Sequence, residues 1–239
     1  MNSGSGDLLI NMCGRFALIT PIKKIIERYL IIENAIDFLA NYNISPTISI
    51  PVLILNDMSK RELKKIKWGI ESNYNSKKKI IINIKDSSFS FKPFFFNMLK
   101  KSRCLFFADG FYEWKKIGNK KIPFYFFRKN SGLMLIAGVF NSLNDSLQSA
   151  IITTHANEKI KNIHDRMPVI ISEKNIDNWL NDNTETQTLI NLLKPISGED
   201  MEMRQVSDFV NSVKNNSAQC IQYAEIAEDN LALPLNIYD

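Results

Sequence analysis

Apolar and polar positions along this chain follow two periods, and the period of two dominates. Val52–Leu55 is a short apolar run, and Leu63–Ile70 alternates through Ile66, Trp68 and Ile70; both predict strands. Ile80-Ile81-Ile82-Asn83 follows the basic run Lys77–Lys79 and predicts a buried strand ending in an amide. Arg103–Trp114 begins as an apolar strand and turns at Asp109-Gly110 into Phe111-Tyr112-Glu113-Trp114. Phe124–Arg128, Leu133–Phe140, Ser149–Thr154 and Pro168–Ile171 add further strands, several of them bounded by Gly and Asn turns.

Helical spacing is rarer. Thr20 as N-cap and Pro21 in the first turn introduce Ile22, Ile25, Ile26 and Leu30 on one face. Ala156–Ile163 reads as a short helix ending at His164-Asp165-Arg166; Ser172 caps another that reaches Leu180, and Thr186–Leu193 supplies one or two amphipathic turns. Asn43, Pro46 and Pro51 make Asn41–Pro51 turn-rich. The phenylalanines of Phe89–Phe96, set around Lys92 and Pro93, read as core or a buried loop in preference to a base-stacking platform. Many short strands with few helices predict an α+β fold: a mainly antiparallel, barrel-like core with peripheral helices, not alternating βαβ units. No repeat or linker divides residues 12–239, which are expected to form a single domain.

Composition changes this picture little. At 239 residues, 45% apolar and 23% charged, the chain is ordinary for one globular domain. A net charge of +5 leans toward a polyanionic partner, although a surplus of this size also suits a solvated surface. Cys13, Cys104 and Cys220 are odd in number and widely spaced. They predict neither a disulfide framework nor a metal site, and a reducing, cytoplasmic compartment is the expectation. There is no run of apolar residues long enough for a membrane helix, and Met1–Asn11 lacks the regions of a signal peptide.

Candidate chemistry concentrates at four residues. Cys13 follows Met12, and removal of everything before it would expose an α-amine and a thiol on adjacent carbons. The amine condenses with an aldehyde to an imine, and the thiol closes a thiazolidine. With a pKa of about 7.8 against about 10.4 for lysine, roughly a third of such an amine is neutral near pH 7.5. The alternative is a small buried apolar residue at a strand start. Glu113, flanked by Tyr112 and Trp114, is placed for a desolvated general acid or, alternatively, for an outward-facing strand end. His164 stands at a helix-to-strand junction, working or structural. Asn83 ends a buried strand, where an amide needs a partner or a task. His155 reads as structural.

Met12-Cys13-Gly14-Arg15-Phe16, Tyr42-Asn43-Ile44-Ser45-Pro46-Thr47, Lys67-Trp68-Gly69, Ala108 through Lys115, Ala137-Gly138-Val139-Phe140 and Ile163-His164-Asp165-Arg166-Met167-Pro168 together resemble the SOS response-associated peptidase family. These proteins cross-link themselves to abasic sites in single-stranded DNA. The resemblance implies a thiazolidine formed by Cys13, proton transfer by Glu113, sugar positioning by His164 and a hydrogen bond from Asn83. It implies a cross-linking and lyase-type activity in the response to DNA damage. The partner is then single-stranded DNA carrying abasic sites, and the protein a cytoplasmic, nucleoid-associated monomer needing no cofactor, metal or membrane. A cysteine peptidase that removes its own leader is the alternative, and in both cases residues 1–11 are expected to be absent from the mature chain. Arg15, Lys85 and Arg166 are then the expected phosphate contacts, and Trp68 and Trp114 the stacking surfaces. One departure stands out: the family reads Asn-Ala-Arg-x-Glu where this chain has Asn83-Ile84-Lys85-Asp86-Ser87, so a bidentate arginine and a glutamate are both missing.

Overall fold

A computed structural model describes residues 13–32, 36–74 and 77–224. The leader and the Pro-containing end of the chain lie outside the described residues. The described chain runs through β1 (Phe16–Leu18), α1 (Ile22–Tyr29), β2 (Asn41–Ile44), β3 (Ser49–Leu55) and β4 (Arg61–Trp68). A hairpin of β5 (Ile70–Tyr74) and β6 (Lys77–Ile81) leads to β7 (Asn83–Lys85), a 3-10 turn over Asp86–Ser90, and α2 (Pro93–Lys101). Then come β8 (Arg103–Ala108), β9 (Gly110–Ile117), β10 (Lys120–Arg128), β11 (Met134–Leu143) and β12 (Ser146–His155). β13 (Arg166–Pro168), β14 (Ile170–Ile171), α3 (Ile176–Leu180), α4 (Thr186–Leu192) and β15 (Met201–Gln205) complete it.

The fold is α+β with mostly antiparallel strands. β12, β4, β3, β8 and β11 pair in turn and close on β12, making a small barrel in which only the β12–β4 contact is parallel. Two short strands prolong the pairing of β12 past the ring. β7 follows β4 along one edge, with Asn83 opposite Ile151, and β13 lines the other, with Arg166 opposite His155. The second sheet has the order β15-β10-β9-β1-β2 and is antiparallel throughout.

One core fills the space between the sheets. Phe111 stacks on Phe126 with centroids 5.3 Å apart, while Phe16 meets Trp68 at 5.1 Å and Phe106 at 6.4 Å. Each such side chain contributes about 1.5–3 kcal/mol by leaving water. The other face of the second sheet, with Ala17, Tyr112 and Tyr125, is covered by Val206, Val210 and Cys220. Among the described residues, no helix is long and apolar enough to cross a membrane.

Several elements differ from the sequence expectation. The alternating segment Leu63–Ile70 breaks at Gly69, whose φ is +135° and where a Cβ would stand 2.6 Å from Ile80 Cγ2. The Ile80–Asn83 strand breaks at Ile82, so Asn83 opens β7 instead of ending its predecessor. Ala156–Ile163 is a series of turns, not a helix; the Asn157 side-chain oxygen takes the N–H groups of Lys159 and Ile160 at its start, and the Ile163 N–H bonds the Ile160 carbonyl three residues back. Thr20 does not cap α1; its hydroxyl donates to Asp109 Oδ1 at 2.6 Å, and Pro21 occupies the cap position. The Ser172 helix begins as a 3-10 turn over Glu173–Asn175. The phenylalanine run divides: Phe89 and Phe95 are buried, but Phe91 and Phe94 are exposed.

Candidate active site

The site forms where β1, β7 and β9 converge beneath the loop joining β12 to β13. Glu113 lies in β9, opposite Phe124, and only 4% of it is exposed. Its Oε1 accepts the backbone N–H of Cys13 at 2.6 Å. That nitrogen is a peptide nitrogen while Met12 is attached, and it stands where an α-amine would stand after release. Burial raises the Glu113 pKa to about 8; hydrogen bonds from the Cys13 and Trp114 N–H groups pull it down, and the negative charge of Asp165 pushes it up.

Cys13 is buried, and burial followed by the charge of Glu113 pushes its thiol well above the usual range, so the sulfur is held as S–H. Asn83 reaches the same residue from β7, donating from Nδ2 to the Cys13 carbonyl at 3.2 Å. Cys13 is thus gripped on both sides of its Cα, through its nitrogen by Glu113 and through its carbonyl by Asn83. His164 Nδ1 accepts from the Arg166 N–H at 3.1 Å, which leaves the proton of the neutral ring on Nε2. Asp165 Oδ1 lies 3.0 Å from the same nitrogen. His155 is exposed at the end of β12, with Nδ1 3.3 Å from Thr154 Oγ1.

The five expected nucleic-acid contacts separate. Lys85 leaves β7 from the same face as Asn83, about 7 Å along the strand, and is exposed. Arg166 turns inward: its guanidinium donates to the Thr153 carbonyl and hydroxyl and lies 3.5 Å from Asp86 Oδ1. Arg15 and Trp114 sit on the opposite face of the second sheet from Glu113, the Arg15 guanidinium 5.8 Å from the Trp114 ring centroid. Arg15 Nη1 donates to Asn43 Oδ1 and the Val210 carbonyl, and Trp114 Nε1 donates to Asn211 Oδ1. Both remain half-buried. Trp68 is a correction. It is 0% exposed, packs on Phe16 and donates from Nε1 to the Ile82 carbonyl at 2.9 Å, so its faces offer nothing to a base.

Residues that sequence reasoning passed over complete the arrangement. Asp86 accepts from Thr154 Oγ1 at 2.7 Å as well as facing Arg166, supplying a carboxylate one position before the missing glutamate. Buried Asn43 donates to the carbonyls of Val210, Ser212 and Asn215, tying β2 to the covering segment. The sequence marks it only as a turn residue and as a member of the Tyr42–Thr47 block. Among the described residues, no group of three or more His, Cys, Asp or Glu side chains is gathered for a metal ion.

The profile of the SOS response associated peptidase (SRAP) family matches residues 12–213. The chain is 40% identical over 223 residues to the abasic site processing protein YoqW of Bacillus subtilis (strain 168), covering 88% of this chain and 99% of that one. It is 27% identical to the abasic site processing protein YedK of Escherichia coli (strain K12), again over 88% and 99%. A crystal structure of a protein from Bacteroides thetaiotaomicron superposes with a TM-score of 0.77 at 22% identity, over 89% of this chain and all of that one.

Proposed function

Since the chain belongs to the SOS response associated peptidase family of abasic site processing proteins, we propose that it captures abasic sites in single-stranded DNA as a covalent thiazolidine on Cys13. The observation that carries this reading is the 2.6 Å hydrogen bond from the Cys13 nitrogen to a buried Glu113 carboxyl. Freed from Met12, that nitrogen is an amine sharing a proton with Glu113. Burial disfavours the ammonium–carboxylate pair and keeps the neutral amine with the neutral acid populated, which is the reactive combination.

The steps follow in order. The neutral amine adds to the aldehyde carbon of the ring-opened sugar. Glu113 protonates the departing hydroxyl, and water leaves to give an imine. The Cys13 thiol then adds across the C=N bond, its sulfur to carbon and its proton, relayed by Glu113, to nitrogen. One water is lost overall and no redox partner is needed. Asn83 holds the Cys13 carbonyl and so the angle at which amine and thiol approach. His164, with its proton on Nε2, assists ring opening from above, and Lys85 takes the adjacent phosphate. The protein works as a cytoplasmic monomer on the nucleoid.

Self-directed peptidase chemistry is the second reading. In its favour, Glu113 lies against the nitrogen of the Met12–Cys13 bond, where an acid would protonate the leaving amine. The raised Cys13 thiol weighs against a thiolate attack. The test is to incubate mature protein with abasic single-stranded DNA, with and without prior capping of the aldehyde. A denaturation-resistant band that capping abolishes is expected; product that ignores the cap overturns the cross-linking reading.

A further inference from the structure

Beside the site lies a cavity of about 280 Å³, between the 3-10 turn that follows β7, α2 and α4. Phe89, Phe96, Ile190 and Leu193 form its apolar walls, and Asp86, Ser87 and Ser90 its polar side. The volume falls just under the roughly 300–1,000 Å³ of sites for drug-sized ligands, so it suits a single flat ring system. Aromatic walls with a few hydrogen-bonding groups at one edge are the surroundings an unstacked nucleobase takes on a protein. Serine hydroxyls both donate and accept, so Ser87 and Ser90 can serve any base edge.

Position connects this cavity to the chemistry. Asn83, which holds Cys13, and Lys85 share a face of β7, and the next residue, Asp86, already lines the cavity. Asp86 is fixed there by Thr154 Oγ1, by Arg166 and by the N–H of Ser87 at 2.8 Å, so this rim of the cavity is tied to β12 and β13. Exposed Lys85 directly precedes the lining residue Asp86, and Lys100 Nζ lies 5.9 Å from the ring centroid of the lining Phe96. A strand with its abasic sugar at Asn83 and the next phosphate at Lys85 carries the following base to this opening.

We propose that the cavity is a non-covalent subsite for the base of the nucleotide adjoining the abasic sugar, swung out of the strand and stacked on Phe96. The proposal rests on the abasic-site reading above. It is tested with oligonucleotides holding one reactive abasic site, in which an unreactive tetrahydrofuran replaces each neighbouring nucleoside in turn. The half-saturating DNA concentration for cross-linking should rise about tenfold when one particular neighbour loses its base, the scale of one stacked base. Ser90→Trp, made at an exposed position on the rim, fills the cavity; it should raise the concentration for fully based DNA similarly and abolish the discrimination. Less than a twofold effect at every neighbour, or discrimination that survives Ser90→Trp, overturns the subsite. Fluorescence anisotropy with tetrahydrofuran at the lesion repeats the comparison without bond formation. Discrimination there without any cross-linking to reactive DNA would count against the covalent reading and leave the subsite standing.

Discussion

Among the described residues two side chains of charged type, Arg103 and Glu113, are buried, and their surroundings could hardly differ more. Arg103, 3% exposed at the start of β8, gives Nε to the Trp179 carbonyl at 2.5 Å and Nη1 to Leu99 at 2.6 Å. Its Nη2 is shared between the Asn181 carbonyl and Asp182 Oδ1. Glu113, equally buried, has two backbone N–H groups and a repelling Asp165, with no cation among its perturbing groups. A buried charge whose donors all meet acceptors holds a helix to a sheet. A buried acid left short of compensation gives up its charge and becomes a proton donor near neutral pH. The difference in compensation separates structure from chemistry here, not the depth of burial.

The comparison can be broken at either end. Arg103→Met leaves three carbonyls and Asp182 without their donor and should cost about 3–5 kcal/mol in denaturant unfolding. Its cross-linking rate per folded molecule should stay near wild type; a large drop in that rate would erase the division. Glu113→Gln keeps the shape but not the proton, and should slow adduct formation by roughly 10²-fold, the usual scale for a positioned acid. Wild-type cross-linking should also decline as pH rises through about 8, where Glu113 loses its proton, and the glutamine variant should lack that limb. An unchanged rate in the variant would return Glu113 to the structural class.

Stability sharpens the contrast further. The folded pKa of Glu113, about 8 against an ordinary 4.5, is raised, so the acid favours the fold below pH 4.5 and that contribution is lost as pH climbs to about 8. In protein retaining Met12, thermal scans should show Glu113→Gln gaining on wild type across this window, by at most about 1.4 kcal/mol per pH unit. Parallel profiles would mean the carboxyl is hydrated. Smallest of all is Lys85→Ala, since the side chain is exposed. Fold stability should not move, while the salt slope of single-stranded DNA binding should fall by about 0.7. An intact slope would take Lys85 off the backbone path.

Much of this was legible in the residues. Alternation in Leu63–Ile70 and the Gly and Asn turns marked the strands, and with them the α+β class. The same alternation contained the correction to Trp68: sharing a face with Ile66 and Ile70, it belonged to the core, and its aromatic ring alone suggested stacking. The break at Ile82 was invisible locally, because β7 pairs in parallel with β12, some 70 residues away. Spacing could not reveal that Asp86 would meet Arg166, since that meeting depends on β7 and β13 lying on opposite edges of one strand. The convergence of Asn83 and Glu113 on Cys13 likewise exists only in the fold, although each of the three was a candidate by its own setting.

The central claim is that the Cys13 amine and thiol together close on the abasic aldehyde. Intact mass spectrometry of the adduct between mature protein and an abasic oligonucleotide tests it most directly. The account predicts a chain beginning at Cys13, joined to the DNA with loss of one water, unchanged in mass by borohydride, and absent in Cys13→Ala. A stable adduct on protein that retains Met12, or one that persists in Cys13→Ala at wild-type yield, would contradict it.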